Sequence, residues 1–565
     1  MRLRTRGTAV AATVLSLSML AAACGSSGSN GGSTATSKKP TDAVIGADDT
    51  KLTPKPGGEI KYGLESDTTG GYCLQEAQLA ISGIQVARAV YDTLTMPNLK
   101  GNITPYLAES VTPNTDYTEW TIKLRPNVVF SDGSKLDADI VRDNLLAYDG
   151  KYAKRSPLLF KFVFGDYTKD VVTVDPLTVK VTTNKPWPTY PWFLWSSSRL
   201  GITGRAQLDD QSTCNKNVVG TGPFKLTEMV ANQRITVVRN PNYWQKDAKG
   251  VQLPYLDKIT FVPISDEPAR LTALEAGDIN IMHSSSYNTL AALKKQSTLK
   301  YISSNRFGEV SYLLLNGTKA PFDHLSAREA VAYAQNRDLA NQRLNQGLGT
   351  PAQGPFAPGN IGYLQDSGYP KFDLAKAKAK AAQYKQETGQ TLSFTYTFVA
   401  DSEGKQTAVL LQQMEKEAGI TVNLNPIGDQ STLINLAIGR QQQAIGWRNH
   451  PGADPDTQWV WWHCSNASGP CDNLVNFGGW NDPQINKLLE EGRAEADPAK
   501  HAAIYEELNR EFAKKLWDLW SGYTTWTIAF QPKVHGIFGP PLPDGSLPSD
   551  GLATGHSVLG LWIEH

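Results

Sequence analysis

The segments "QTLSFTYTF", "QTAVLLQQMEKEAGI" and "TVNLNPI" follow one another between residues 390 and 427 with almost no connecting chain. The outer two are short and rich in β-branched and aromatic residues; the middle one is longer and carries apolar residues at helical spacing. A strand, a helix and a strand in immediate succession predict an α/β lobe in the C-terminal half, because the helix must cover a face of the sheet.

Other segments sharpen this reading. "GGEIKYGLES" from Gly57 reads as a first strand and "ISGIQVARAVYDTL" as a helix. "YTEWTIKLRPNVVFSDGS" alternates, with Trp120, Ile122 and Leu124 on one face and Glu119, Thr121 and Lys123 on the other, and then turns at Asp132-Gly133. That is a half-buried antiparallel strand. "RITVVRNPNYW", "LDKITFVPI" and the nearly all-apolar "SYLLLN" are further strands. "DEPARLTALEAGDINIM" predicts a helix capped at Asp266 or Glu267, with Pro268 in its first turn and a stop at Gly277. "SAREAVAYAQNRDLANQRL" predicts one helix with Ala330, Tyr333 and Leu339 turned inward. A late helix opens at Asp497-Pro498 and repeats Ile504, Leu508, Phe512 and Leu516 every fourth residue, which is core spacing. The tail from Gln531 reads as extended.

The N-terminal residues predict export. Arg2, Arg4 and Arg6 precede an apolar run from Ala9 to Ala23, the length of a signal-peptide core and short for a membrane span. "LAAAC" then resembles the lipobox of bacterial lipoproteins, with Leu20 one place early and Ala21 at the usual aliphatic position. The resemblance implies a signal peptide over 1–23 and lipidation of Cys24. "GSSGSNGGSTATSKKP" lies within a Gly/Ser-rich tether over 24–56 that reaches about 30 Å. No other stretch approaches the roughly 18 apolar residues of a membrane-spanning helix. The expected location is the outer face of the cytoplasmic membrane.

Beyond that leader, 52 basic residues stand against 55 acidic ones with no basic block, which argues against nucleic acid as a partner. The length suits two or three domains. Four cysteines remain: Cys73, Cys214, Cys464 and Cys471. An even number in an exported chain favours two disulfides, with Cys464–Cys471 as a loop staple and Cys73–Cys214 as the partner pair. Sequence leaves the other two connectivities open.

Six segments in order carry a resemblance over the chain from about Gly57: "AESVTPNTDYTEWTIKLRPNVVFSDGSKLDADIV", "GTGPFKL", "NPNYW", "LDKITFVPISDEPARLTALEAGDINI", "LLLN…APFDHLSAREAVAYAQNRDLA" and "DPQINKLLEEGRAEADPAKHAAIYEELNREF". The chain resembles the family 5 extracytoplasmic solute-binding proteins of ABC importers, the oligopeptide, dipeptide and nickel-binding group, in an actinobacterial lipoprotein version. The resemblance implies an α/β two-lobe clamp of the periplasmic-binding-protein type (type II, large class) with an extra subdomain inserted in lobe one. Lobe one would comprise 57–95, 200–308 and 522–565, the insert 96–199 and lobe two 309–521. The chain would cross the hinge near "SYLLLN" and again near "YTTWTIAF". Implied partners are a peptide or other small solute and ABC permease and ATPase subunits, engaged by a monomer.

Catalytic patterns are absent from the sequence. "GTGPFK" at 220–225 lacks the Lys-Ser end of a phosphate loop, no H-E-x-x-H occurs, and Ser297–Lys300 is an S-x-x-K without its S-D-N and K-T-G companions. The densest candidate is "GWRNHPGADPDTQWVWWHC", residues 446–464. His450, Asp454, Asp456, His463 and Cys464 are metal-ligand types, but no paired spacing of a structural zinc site is present. The rival class is therefore an exported metal-dependent hydrolase; the favoured reading has neither metal nor cofactor and no enzymatic step. Trp447, Trp459, Trp461, Trp462 and Trp480 divide between core and cleft, and "KPWPTYPWFLW" at 185–195 reads as packing beneath the cleft.

In the peptide-binding members the equivalent segment supplies an acid to the ligand's amine. Here Arg448, Asn449 and His450 follow Trp447, and carboxylates come only at Asp454 and Asp456. Either Asp454 reaches the cleft and peptide binding persists, or Arg448 favours an anionic solute, a sugar conjugate, an opine, a metal chelate or haem. The expected ligand contacts are Trp447, Arg448, Asn449, His450, Asp454, Asp456, Trp459 and Trp461, with Tyr72 and Arg306 as outlying candidates.

Overall fold

The structure, a computed structural model, describes residues 52–68, 71–75, 77, 79–150, 168–449, 452, 454–466 and 468–565. The signal peptide, Cys24, nearly all of the tether, part of the insert (151–167) and His450 lie outside the described residues.

The chain folds around two large mixed sheets. The first has seven strands in the order Lys300–Ser304, Trp526–Phe530, Ile281–Ser284, Glu59–Leu64, Lys258–Pro263, Arg234–Arg239, Phe224–Val230. Glu59–Leu64 lies parallel to both of its neighbours, and the remaining pairs are antiparallel. The second has six strands in the order Thr350–Pro351, Asp518–Tyr523, Val310–Leu315, Ala444–Asn449, Ser393–Val399, Thr421–Ile427. Together they form the two-lobe α/β clamp.

The strand, helix, strand unit lies in the second sheet. Ser393–Val399 pairs in parallel with Thr421–Ile427, and the intervening helix Ser402–Glu417 is capped by Asp401, whose carboxylate accepts from Gly404 N. Between the first strand and Phe224 the chain builds a separate four-stranded antiparallel sheet from Ala108–Pro113, Glu119–Leu124, Thr178–Thr183 and Thr168–Asp175. The alternation of the second strand places Trp120, Ile122 and Leu124 in the core, where each contributes about 1.5–3 kcal/mol of apolar burial.

The chain passes between the large sheets at two points, 305–309 and 524–525. The first crossing precedes "SYLLLN" by a few residues, because that segment is already paired inside the second sheet. The crossings lie side by side: Thr524 N donates to the Glu309 carbonyl at 2.8 Å, and the Ser311 and Thr524 hydroxyls meet at 3.0 Å.

Local helix signals translate unevenly. Asp266 caps Glu267–Ala276, which ends at Gly277 with φ 84°. The single helix expected over "SAREAVAYAQNRDLANQRL" is two, Leu325–Ala334 and Arg337–Asn345, because the Asn336 side chain accepts from Leu339 N and starts the second. Ala330 is buried and Tyr333 half-buried, but Leu339 falls on the second helix and is exposed.

Beneath the first strand, fully buried Tyr62 packs between two histidines, His556 stacked at 5.7 Å and His283 edge-on at 6.0 Å. His556 Nδ1 donates to the Ile537 carbonyl at 2.7 Å, so Nε2 accepts from the Tyr62 hydroxyl at 3.0 Å. Burial, opposed by the Ile537 carbonyl and reinforced by Arg88, lowers the His556 pKa to about 4. A histidine of the unfolded chain takes up its proton near ~6.5, so between these values the unfolded state binds more protons, and stability rises with pH and is lost as pH falls from ~6.5 toward about 4. His556→Gln removes that proton uptake. The stability advantage of the parent over this variant is expected to shrink by about 3 kcal/mol from pH 6.5 to pH 4, read from urea midpoints. A difference that stays constant with pH would show that the ring is charged in the fold.

Candidate ligand-binding site

A cavity of about 1140 Å3 lies between the two large sheets and is lined from both. It exceeds the ~300–1,000 Å3 of ordinary small-molecule pockets. Residues lining it from the two sides touch: the Ser286 hydroxyl donates to Glu403, and the Ser402 hydroxyl lies 3.5 Å from Asp266.

The strand Ala444–Asn449 brings Trp447 and Arg448 to the cavity from the second sheet, where they pair with Tyr312 and Ser311. Trp447 packs on Phe477 at 5.2 Å and Trp461 packs on the same ring at 5.7 Å, so three aromatic side chains form one wall. Such a wall offers wide apolar contact with few polar demands.

Arg448 occupies the charged centre. Its Nη2 lies 3.1 Å from Glu65 Oε1, its Nη1 donates to Ser285 Oγ at 2.8 Å, and its Nε is 3.9 Å from Glu309 Oε2. The Trp526 ring lies 5.3 Å from the guanidinium and donates its Nε1–H to Glu309 at 2.7 Å. Burial opposes the charge on Arg448, and Glu65, Glu309 and Glu403 together outweigh it, holding the group above the usual arginine range. The side chain keeps 36% of its surface open, facing the cavity, whereas Glu309 has none.

Glu65 follows the first strand directly, at the carboxyl end of a central parallel strand. Its backbone N–H donates to His283 Nε2 at 3.0 Å, so that ring must present a lone pair. Burial, with Arg270, His556 and Arg448 adding to it, keeps His283 well below the usual histidine range and therefore neutral. Neither Glu65, Ser285 nor Glu309 carries a local motif. For Glu65 the available signal was its place at a strand's carboxyl end, where open α/β sheets bind ligands.

Several expected contacts lie elsewhere. Asp456 is fully buried; it accepts from Arg493 Nε at 2.7 Å, from Trp187 Nε1 at 2.9 Å and from the Thr189 hydroxyl. Its carboxylate is thus occupied by the chain's own donors. Asp454 caps the short 3-10 turn Pro455–Gln458 through Asp456 N and faces His501 at 3.3 Å. Trp459 is buried between the His463 ring at 3.9 Å and the Arg493 guanidinium at 4.1 Å. Asn449 is buried at the end of its strand, Tyr72 is buried in the first lobe, and Arg306 binds Asp550 at 3.2 Å and the Leu99 carbonyl at 2.9 Å. None of these six lines the cavity.

The cysteines divide as well. Cys73 and Cys214 form a disulfide with Cα atoms 5.3 Å apart. The expected Cys464–Cys471 bond is not formed: Cys464 Sγ donates to Asn466 Oδ1 at 2.6 Å and Cys471 Sγ to the His463 carbonyl at 3.5 Å. Ligand atoms of Cys464, Cys471 and Asp472 lie within 4.8 Å of one another, the one such trio among the described residues, and it is outside the cavity.

The buried pair fixes an expectation for stability. Arg493→Met strands the Asp456 carboxylate in the core and is expected to cost about 3–5 kcal/mol in guanidinium unfolding. A loss below about 1 kcal/mol would show that water reaches Asp456.

Comparison with known proteins agrees with this architecture. Residues 102–469 match the family model described as bacterial extracellular solute-binding proteins, family 5 middle. A glutathione-binding protein, GsiB, of Shigella dysenteriae is 26% identical over 431 residues, covering 74% of this chain and 80% of that protein. The structure of AgaA from Agrobacterium tumefaciens R10 with agropinic acid superimposes with a TM-score of 0.79 at 25% identity, covering 90% of this chain and 99% of the other. Helicobacter pylori DppA with the peptide STSA gives the same TM-score and coverage at 21% identity, a likeness of fold. With a family match over more than half its length and a two-sheet clamp around a large cavity, this chain belongs to the bacterial extracellular solute-binding proteins, family 5.

Proposed function

We propose that the protein is a lipid-anchored capture subunit, working as a monomer, that binds a peptide outside the membrane and hands it to an ABC importer. The observation that carries this reading is the cavity of about 1140 Å3 between the sheets, which combines a three-ring aromatic wall with a charged centre. A peptide needs both features, an apolar wall for its side chains and charge for its ends. Glutathione as the ligand named for a relative points the same way. An anionic solute is the second reading and rests on Arg448, which however already faces two carboxylates.

Function on this reading is closure. A ligand that touches both lobes only when they are together shifts the open–closed equilibrium toward the form that docks on the permease. No bond is made or broken. Cys24, lipidated after removal of residues 1–23, would hold the body at the membrane through the tether.

Native mass spectrometry of the exported protein is expected to reveal retained peptides. A bound peptide at a hundred times its Kd should stabilise the fold by about 2.7 kcal/mol. Trp447→Ala should weaken that binding at least tenfold while the unliganded protein still unfolds in one cooperative transition. A peptide library that produces no shift, beside an anionic solute that does, would overturn the peptide reading. Cys24→Ser is expected to move the protein from the membrane fraction to the medium or periplasm; retention in the membrane would refute the anchor.

A further inference from the structure

Arg448 is held by two carboxylates that differ in kind. Glu309 closes the crossing segment and directly precedes the strand Val310–Leu315, which pairs with the strand carrying Arg448, so it is joined to the sheet that holds Arg448. Glu309 is fully buried, and Trp526 Nε1 fixes its carboxylate at 2.7 Å. Glu65 directly follows a strand of the other sheet and keeps 19% of its side chain open. The Arg448–Glu65 contact of 3.1 Å therefore spans the cleft, and both partners line the cavity a ligand must enter.

This pair has the chemistry of a zwitterion split between two lobes. A ligand carrying only a carboxylate could take Arg448, but would leave Glu65 facing its negative charge. A ligand carrying only an ammonium could take Glu65, but would remove the nearer of the two counter-charges on Arg448. An uncharged ligand could replace neither. Leaving one half of a partly buried ion pair without its partner is costly, so the exchange is balanced only when both halves are replaced together.

We infer that Glu65 and Arg448 are the specificity-determining pair of the cleft: a ligand's carboxylate takes over Arg448 while its ammonium takes over Glu65, which selects solutes bearing both groups. Ser285, which accepts from Arg448 Nη1, keeps the guanidinium in place during the exchange. Glu309 remains with Arg448 throughout. The inference rests on the peptide reading proposed above and adds to it the residues that read the ligand's two ends.

The test uses three probes on the whole protein: a mixture of free tripeptides, the same mixture N-acetylated, and the same mixture C-amidated, with affinities from calorimetry. The parent protein is expected to bind the free mixture at least tenfold more tightly than either blocked one. Glu65→Gln should erase the preference for the free amine and keep the preference for the free carboxylate, and Arg448→Gln should do the reverse. Glu65→Asp and Arg448→Lys should restore part of each preference, which a merely structural role would not produce. Equal binding of all three mixtures by the parent overturns the inference and leaves peptide binding standing, as does a preference that neither Gln variant alters. Binding of none of them overturns the peptide reading, and the inference with it.

Discussion

Glu309 is where the two lobes, the hinge and the cleft meet. Its backbone carbonyl accepts from Thr524, which ties the two crossing segments together, and its buried carboxylate accepts from Trp526 and faces Arg448. A carboxylate without solvent exposure requires compensating charge. That requirement keeps Arg448 at the point where the sheets approach. Relative motion of the lobes has few residues to act through, 305–309 and 524–525, as in hinged clamps generally. The chain thus anchors the charge it offers a ligand next to the axis about which it would close.

Local patterns were legible wherever one element decided the outcome. The strand, helix, strand unit at 390–427, the alternation of Trp120, Ile122 and Leu124, and the Asp266 and Asp497 caps needed no distant partner. Asp456 was misread because its partners are Arg493, 37 residues away, and Trp187, 269 residues away; "ADPD" alone looks like available acid. For Glu65 only the position at a strand's carboxyl end pointed to the cleft; its pairing with Arg448, 383 positions distant, was not legible. Arg448 itself was visible, as the residue standing after Trp447, but its two acidic partners were not.

The tryptophan-rich segment resolves by helix geometry. Trp459 and Trp462 are three positions apart in the four-residue helix Trp459–Trp462 and therefore share a face. That face is the core, where Trp459 stacks on Arg493 and Trp462 meets Phe512 at 4.7 Å. Trp461 is rotated about 100° from Trp462 and emerges on the cavity side beside Phe477. One turn of helix thus gives one sequence motif two tasks, anchoring the segment in the second lobe and completing the aromatic wall.

The cavity carries eight carboxylates and five basic side chains, a formal excess of negative charge that would on its face repel the end of a peptide bearing a carboxylate. Three of the eight are helix caps. Asp266, Asp401 and Asp429 each accept a backbone N–H at the start of a helix, at 3.2, 2.7 and 2.8 Å. A helix N-terminus carries about half a positive charge, and its unpaired N–H groups absorb much of what a capping carboxylate presents. With these three set against their own helices, the remaining five carboxylates match the five basic groups. The field a ligand meets is then only modestly negative overall and sharply divided at the centre, with Glu65 on one lobe and Arg448 on the other. A solute of a single charge would leave one half of that divided pair without a partner, and one that brings both charges replaces both halves.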